Sequence, residues 1–294
     1  MTVHLLSFVA GMPNSKVLVD RFSVQAKACS FIDQLHVVSD PDQELYQNFH
    51  QEFWEFIQSN PRGYGYWLWK PFIVLHYLKK IPDNDVLLYC DIGCELSPLA
   101  DKVFSRYLDE LNRQNFLAFS TFTKNSERSW SKAELIKLLS PKCSDLDSEQ
   151  VAATFFLIKK TPRMIQFVEE WLRISTLENF SYLTDKLQID QSPAFIEHRH
   201  DQSIFSLLVK KYNLPVLRER TFFPPEVYYP KSFVLNFPVH TLRSKGQHCF
   251  INRSFYENGK GNYVYEYVKY QIIFAWSRLV RKLRLISSDW RKSL

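Results

Sequence analysis

Runs of apolar residues alternate along this chain with stretches in which apolar residues recur at helical spacing. Residues 3–11 predict a buried strand that ends in a turn, and residues 36–40 predict a second strand. Residues 19–32, between them, carry the pattern of a helix. A strand, a helix and a strand at this spacing are typical of a right-handed parallel unit. We therefore expect an α/β fold.

The same alternation continues to about residue 240. Further strands are predicted over 86–90, 116–119, 154–158 and 234–240. Further helices are predicted over 45–59, 71–78, 99–114, 131–139, 164–172 and 203–212. These elements predict one domain, residues 1–250, with a mainly parallel central sheet flanked by helices. Residues 251–294 have a different composition and are predicted to form an extension.

The strand over residues 86–90 ends abruptly in polar residues. Asp91, Gly93 and Glu95 follow it directly. Open α/β sheets bind ligands where their strands end, so Asp91 is placed to meet a metal ion or a sugar hydroxyl. The alternative is a cap for the next helix. Asp40 also follows a predicted strand, where it could hold a ribose or simply cap a loop.

The string Tyr64-Gly65-Tyr66-Trp67-Leu68-Trp69-Lys70-Pro71 is the most unusual in the chain. Its aromatic side chains could form a stacking platform, or they could be core. Pro71 suits the first turn of a helix, which places Lys70 at the helix start. A lysine there is disfavoured by the helix dipole unless it has an anionic partner. The position of Lys70 therefore favours a role in binding.

A second polar cluster, His198-Arg199-His200-Asp201-Gln202-Ser203, opens the helix predicted over 203–212. A helix start needs fewer polar groups than this for capping. The cluster is therefore a second candidate site. The alternative is an ordinary N-cap, with His198 and His200 at the surface.

Composition narrows the choice of function. An apolar share of 46% predicts a folded core, and only 7 glycines argue against a glycine-rich phosphate loop. Five cysteines at irregular spacing indicate a reduced, cytoplasmic protein, with Cys90 and Cys94 as buried thiols rather than metal ligands. We expect neither a secretory signal nor a membrane-spanning helix.

The last part of the chain carries much of the net charge of +6. From Lys269 onward, basic residues alternate with apolar ones that include Trp276 and Trp290, which is typical of an amphipathic helix at a membrane surface. This predicts a protein that is peripheral to the inner face of a membrane. The alternative is a helix packed on the domain. Nucleic-acid binding is not expected, because the basic residues gather on a tail of membrane-helix type.

Four motifs in this order resemble bacterial and viral glycosyltransferases of the GT-A fold, which act in lipopolysaccharide and capsule assembly. They are residues 69–71, 89–95, 152–159 and 198–203. The group is distantly similar to glycogenin-like retaining galactosyltransferases. The resemblance implies a nucleotide-sugar donor, usually a UDP-sugar, and a glycan or lipid-linked acceptor.

The resemblance also implies roles for individual residues. Asp201 would hold donor hydroxyls, and Gln202 would face the anomeric carbon, where oxocarbenium charge develops. The implied donor-binding residues are Ser7, Asp40, Trp67, Lys70, Asp91, Arg243 and Lys245.

A divalent metal, Mn²⁺ or Mg²⁺, is part of the same expectation. Relatives carry Asp-x-Asp at the strand end, whereas Gly93 replaces the second acid here. Glu95 or His240 would then have to complete the site with Asp91.

Two other functions fit the residues. One is a metal-dependent hydrolase that uses His198, His200, Asp201 and Asp91, although the two histidines lack the i, i+4 spacing of ligands on one helical face. The other is a catalytically silent binder of sugar nucleotides, which the missing second acid permits.

Overall fold

The structure is a computed structural model that describes residues 1–12, 14–39, 43–121, 126–218 and 237–241. The predicted extension, residues 251–294, lies outside the described residues, as do residues 234–236 of the predicted strand over 234–240.

Strands and helices alternate through most of the described chain. The strands are β1 Val3–Phe8, β2 Gln34–Val38, β3 Val86–Cys90, β4 Glu95–Leu96, β5 Phe116–Ser120, β6 Val151–Lys159, β7 Val216–Leu217 and β8 Val239–His240. The helices are α1 Ser15–Ala28, α2 Glu44–Ser59, α3 Gly63–Tyr66, α4 Trp69–Lys80, α5 Asp101–Gln114, α6 Glu127–Trp130, α7 Ala133–Leu139, α8 Cys143–Leu146, α9 Pro162–Phe180 and α10 Asp201–Lys211. Within the described ranges, no helix has the length and apolar character needed to cross a membrane.

Six strands form the central sheet in the order β2-β1-β3-β6-β5-β7. β1 pairs in parallel with β2 and β3, and β5 pairs in parallel with β7. β6 runs antiparallel to both of its neighbours, β3 and β5. The predicted α/β class with a mainly parallel sheet flanked by helices is confirmed. β4 and β8 form a separate two-stranded antiparallel sheet.

The sheet is buried on both faces, which explains why its strands are continuous apolar runs rather than alternating ones. In β3, Leu87 and Tyr89 face a core built with α2, α4, α9 and α10. Val86, Leu88 and Cys90 face the other core, built with α1 and α5. Both faces of β3 are shielded from solvent, since every residue of the strand is buried.

Polar groups gather at the edge of the sheet where β1 and β3 end. Because β6 is antiparallel, it begins at the same edge, and Cys90 pairs with Phe155 there. The backbone N–H of Asp91 donates to the carbonyl of Thr154 at 2.9 Å, which fixes the residue that follows β3. The starts of α4 and α10 reach this edge too, since Lys70 of α4 contacts both Asp91 and Asp201 of α10.

Candidate functional site

Lys70 joins the two polar motifs that the sequence singled out. Its Nζ lies 3.3 Å from Oδ1 of Asp91 and 3.0 Å from Oδ2 of Asp201. It also donates to the carbonyl of Ala153 at 3.1 Å. The anionic partner predicted for this lysine is therefore present, as two carboxylates of the protein itself. The charge is buried, since Lys70 is 3% exposed.

Burial and charge act against each other in this triad. Burial lowers the pKa of Lys70, but Asp201 and Asp91 outweigh it and hold the pKa above its ordinary value. Burial raises the pKa of Asp201 to about 6, against the opposing effect of Lys70. The triad thus contains one ammonium and two carboxylates, one of which titrates close to neutral pH.

The carboxylate of Asp91 is hydrogen-bonded to the protein on one side and exposed to solvent on the other. The hydroxyl of Tyr89 donates to its Oδ1 at 2.5 Å, yet its side chain remains 31% exposed. Arg21 of α1 donates to the carbonyls of Ile92 and Cys94, which fixes the turn after β3. Asp91 therefore presents a carboxylate to solvent from a rigid support, at the end of a buried strand.

Asp201 is the first residue of α10, and it is not the helix cap that the sequence allowed. The cap position belongs to His200, whose backbone is left-handed with φ 53°. The carbonyl of Asp201 accepts from the indole of Trp171 at 3.2 Å, and its carboxylate faces Lys70. The acid is 4% exposed.

Gln202 is oriented by a buried polar network that sequence reasoning missed. Its amide donates to Oε1 of Gln150 at 2.9 Å. The amide of Gln150 donates in turn to Oε2 of Glu127 at 3.1 Å, and Oε1 of Glu127 accepts from Lys210 at 2.6 Å. Ser131, Ser203 and Ser206 complete the network. In the sequence, Glu127 stands in a polar stretch, and no local pattern marks it as buried.

Trp67 ends a turn with unusual backbone geometry. Residues 63–67 all have positive φ, and the N–H of Tyr66 bonds to the carbonyl of Arg62 at 2.8 Å, which makes this one turn of left-handed helix. Gly63 is required here, because a Cβ would stand 2.6 Å from the ring of Trp67. The turn places the Trp67 ring against His200, with centroids 5.6 Å apart.

Ser7 lies in β1, next to the residue that pairs with Tyr89. Its side chain is fully buried, and its Oγ has no hydrogen-bond partner among the described residues. A buried hydroxyl without a partner is costly in a finished structure.

The two histidines are structural. His198 uses both ring nitrogens, since Nε2 donates to the carbonyl of Tyr182 at 2.9 Å and Nδ1 accepts from the N–H of Lys132. His200 donates from Nδ1 to the carbonyl of Leu183 at 2.9 Å. Burial lowers the pKa of both rings, that of His200 to about 4. The alternative that placed them at the surface is therefore wrong, since both are buried. The alternative hydrolase cluster of His198, His200, Asp201 and Asp91 is not formed either.

The residues proposed for a metal do not assemble into a site. Within the described part of the chain, no group of three or more His, Cys, Asp and Glu residues could hold a metal ion. Glu95 and His240 pair across the small sheet and are both buried, whereas Asp91 is partly exposed. Burial lowers the pKa of His240 to about 4. Cys90 and Cys94 are buried free thiols, as expected. Three further predicted residues, Asp40, Arg243 and Lys245, lie outside the described residues.

Comparison with protein-family models and with curated proteins finds no match. Solved structures do match. Xyloside xylosyltransferase 1 from mouse is 8% identical over 74% of this chain and 85% of its own, with a TM-score of 0.42. The glycosyltransferase GlyE from Streptococcus pneumoniae TIGR4 is 15% identical over 98% of this chain and 64% of its own, with a TM-score of 0.43. The galactosyltransferase LgtC, solved with donor and acceptor sugar analogues, is 14% identical over 92% and 95%, with a TM-score of 0.40. The likeness concerns the chain trace and does not by itself assign an activity.

Proposed function

We propose that this protein is a glycosyltransferase that moves a sugar from a nucleoside-diphosphate donor, a UDP-sugar, to a glycan or lipid-linked acceptor in surface polysaccharide assembly. One observation carries the proposal. Lys70 holds Asp91 and Asp201 within 3.3 Å of a single ammonium group, although they come from motifs far apart in the chain. These are the motifs on which the sequence resemblance to glycosyltransferases rests.

Each residue of the site has a role in this chemistry. Asp91 and Ser7, at the ends of β3 and β1, would bind the donor, and Trp67 would pack beside it. Asp201 would hold donor hydroxyls, and Gln202, fixed by Gln150, would face the anomeric carbon.

The charge of the triad suits the transition state. Two carboxylates and one ammonium leave a net negative charge when Asp201 is ionised. Oxocarbenium character at the anomeric carbon is positive, and a preorganised negative group stabilises it most in a site that excludes water. We also propose that the configuration at the anomeric carbon is retained, because Asp201 and Gln202 resemble the Asp-Gln pair of retaining galactosyltransferases.

Groups other than Lys70 would have to neutralise the charge of the departing diphosphate, because Lys70 is already paired with two carboxylates. Arg243, Lys245 and a divalent ion, Mn²⁺ or Mg²⁺, are the proposed counter-charges. The described residues do not form the ion's site, so we assign no step to it. We further propose that the basic extension holds the enzyme at the cytoplasmic face of an anionic membrane, where a lipid-linked acceptor would lie.

The test is turnover of nucleotide sugars. Wild-type protein is incubated with a panel of UDP-sugars and Mn²⁺, and nucleotide release and binding heat are both measured. We expect release with at least one donor, and loss of release in Asp91→Asn. The amide keeps the shape and removes the charge, and the variant stays folded because Lys70 keeps its pair with Asp201.

Three results would count against the proposal. Binding without release in the wild type would indicate a silent sugar-nucleotide binder. Neither binding nor release with any donor would reject the site. Equal release by wild type and Asp91→Asn would remove Asp91 from it.

A further inference from the structure

A groove of about 1010 Å³ lies next to the candidate site and is not used by the chemistry proposed above. Side chains from the later part of α2 and Asn60 after it line one part of the groove, and side chains from the segment between Glu178 and Gln188 line another. Phe56 and Phe180 stack face to face, with ring centroids 3.8 Å apart, and tie the two segments together. Tyr66, from the left-handed turn, also lines the groove.

The lining combines aromatic faces with hydrogen-bonding edges. Trp54 is 44% exposed in the groove and stacks on His50, with centroids 4.6 Å apart. Gln51, Asn60 and Gln188 supply amides. A sugar ring has the matching chemistry, because its C–H faces pack on aromatic rings while its hydroxyl groups bond to carboxylates and amides.

The charge of the lining selects among saccharides. Four carboxylates, Glu52, Glu55, Glu178 and Asp185, line the groove together with one cation, Lys186. Beside the lining, Arg62 pairs with Asp185 at 3.1 Å, which leaves the other three carboxylates in excess. Asp185 and Glu178 already accept hydrogen bonds, from Tyr66 and Tyr182 among others. Glu52 and Glu55 are exposed. A phosphorylated or acidic sugar would therefore meet like charge, whereas an uncharged one would not.

Direct contacts connect the groove to the candidate site. Oδ1 of Asp185 lies 3.6 Å from Nε2 of His200, and the ring of Tyr66 packs on His200 with centroids 4.5 Å apart. His200 immediately precedes Asp201. Its Nε2 is buried and has no hydrogen-bond partner among the described residues.

We propose that the groove binds the acceptor and that the acceptor is an uncharged oligosaccharide, with Trp54 as its stacking platform. That the bound glycan is an acceptor rests on the proposed glycosyl transfer. Binding of an uncharged glycan at Trp54 is measurable without any donor.

The experiment uses the full chain on an array of immobilised glycans with uncharged, sialylated and phosphorylated members. The affinity of the strongest binder is then measured in solution. Trp54→Ala should weaken it about tenfold, because the exposed ring face is lost, and Trp54→Phe should recover part of that loss. Leu138→Ala, which trims an equally accessible apolar side chain on α7, is the matched control and should change nothing.

A second variant tests the charge argument. Glu52→Gln combined with Glu55→Gln should increase binding of sialylated glycans relative to uncharged ones. Melting curves confirm that each variant is folded.

The outcomes separate this proposal from the catalytic one. Uncharged glycans bound through Trp54 without any turnover of nucleotide sugars would reject glycosyl transfer and keep the groove. Binding that Trp54→Ala leaves intact, a preference for acidic glycans, or no uncharged glycan bound at all would overturn the groove proposal.

Discussion

Replacing Lys70 by methionine tests the electrostatics of the triad. Methionine has a similar length and no charge, so the variant keeps the packing and leaves Asp201 and Asp91 without their shared cation. Breaking a buried ion pair by removing one partner costs about 3–5 kcal/mol. We expect a loss in the free energy of unfolding within that range at about pH 8.

The size of the loss should depend on pH, with a sign fixed by Asp201. Its pKa is about 6 in the native protein, above its ordinary value, so protonation of Asp201 favours the native state. Without Lys70 the pKa rises further, and the variant binds a proton that the wild type has released. Relative to the wild type, the variant is therefore less destabilised at low pH and more destabilised as pH rises above about 6.

The size of this pH dependence follows from the difference between the pKa of Asp201 in the variant and in the wild type. One pKa unit corresponds to about 1.36 kcal/mol. Each unit by which the loss of Lys70 raises the pKa of Asp201 therefore adds up to about 1.36 kcal/mol to the loss at about pH 8 relative to the loss at about pH 5.

Urea unfolding of both proteins at these two pH values is the assay. Lys79→Met is the matched control. Lys79 lies on the same helix and pairs with Glu169, but its side chain is 52% exposed, so its loss should cost under about 1 kcal/mol at either pH. An equal loss for Lys70→Met at both pH values, or a loss no greater than that of the control, would refute the reasoning.

Three further predictions concern activity and location. Gln202→Ala should lower kcat more than it raises the donor KM, and Gln150→Leu should do the same more weakly, whereas a rise in KM alone would make Gln202 a binding residue. The kcat should rise with pH through an apparent pKa near 6 as Asp201 ionises, and a profile flat between about pH 5 and 8 would remove the ionised form of Asp201 from the mechanism. The full chain should sediment with anionic vesicles at low salt and be released at high salt, while a truncation after Asn262 stays soluble and active. Failure to bind at any salt would reject the anchor, and a truncation that unfolds would favour a packed helix.

The sequence predicted those features that depend on local pattern. The apolar run of β3 and its abrupt end at Asp91 identified a buried strand and its polar edge, and both are present. The dipole argument at Lys70 called for an anionic partner and was interpreted as favouring a role in binding, whereas the structure supplies two carboxylates of the protein as partners. The sequence could not identify Asp201 as a partner, because it lies 131 positions further along the chain and only folding brings the two residues together.

Two other features had no local signal. Gln150 and Glu127 orient Gln202 through contacts between residues that are 23 to 52 positions apart, and each looks like an ordinary polar residue in its own segment. The left-handed turn over 63–67 contradicts the intrinsic preference of Tyr64, Tyr66 and Trp67, at about 1–2 kcal/mol for each. Packing of the three aromatic rings against the core offsets this cost. The string was recognised as unusual, but its geometry was not predicted.

The most direct test of the central claim is a crystal structure with a non-hydrolysable UDP-sugar analogue and Mn²⁺. We expect the nucleotide sugar at the ends of β1 and β3, beside Ser7 and Asp91, with the sugar ring against Asp201 and Gln202. A nucleotide bound elsewhere on the protein, or a sugar ring out of contact with both Asp201 and Gln202, would contradict the account.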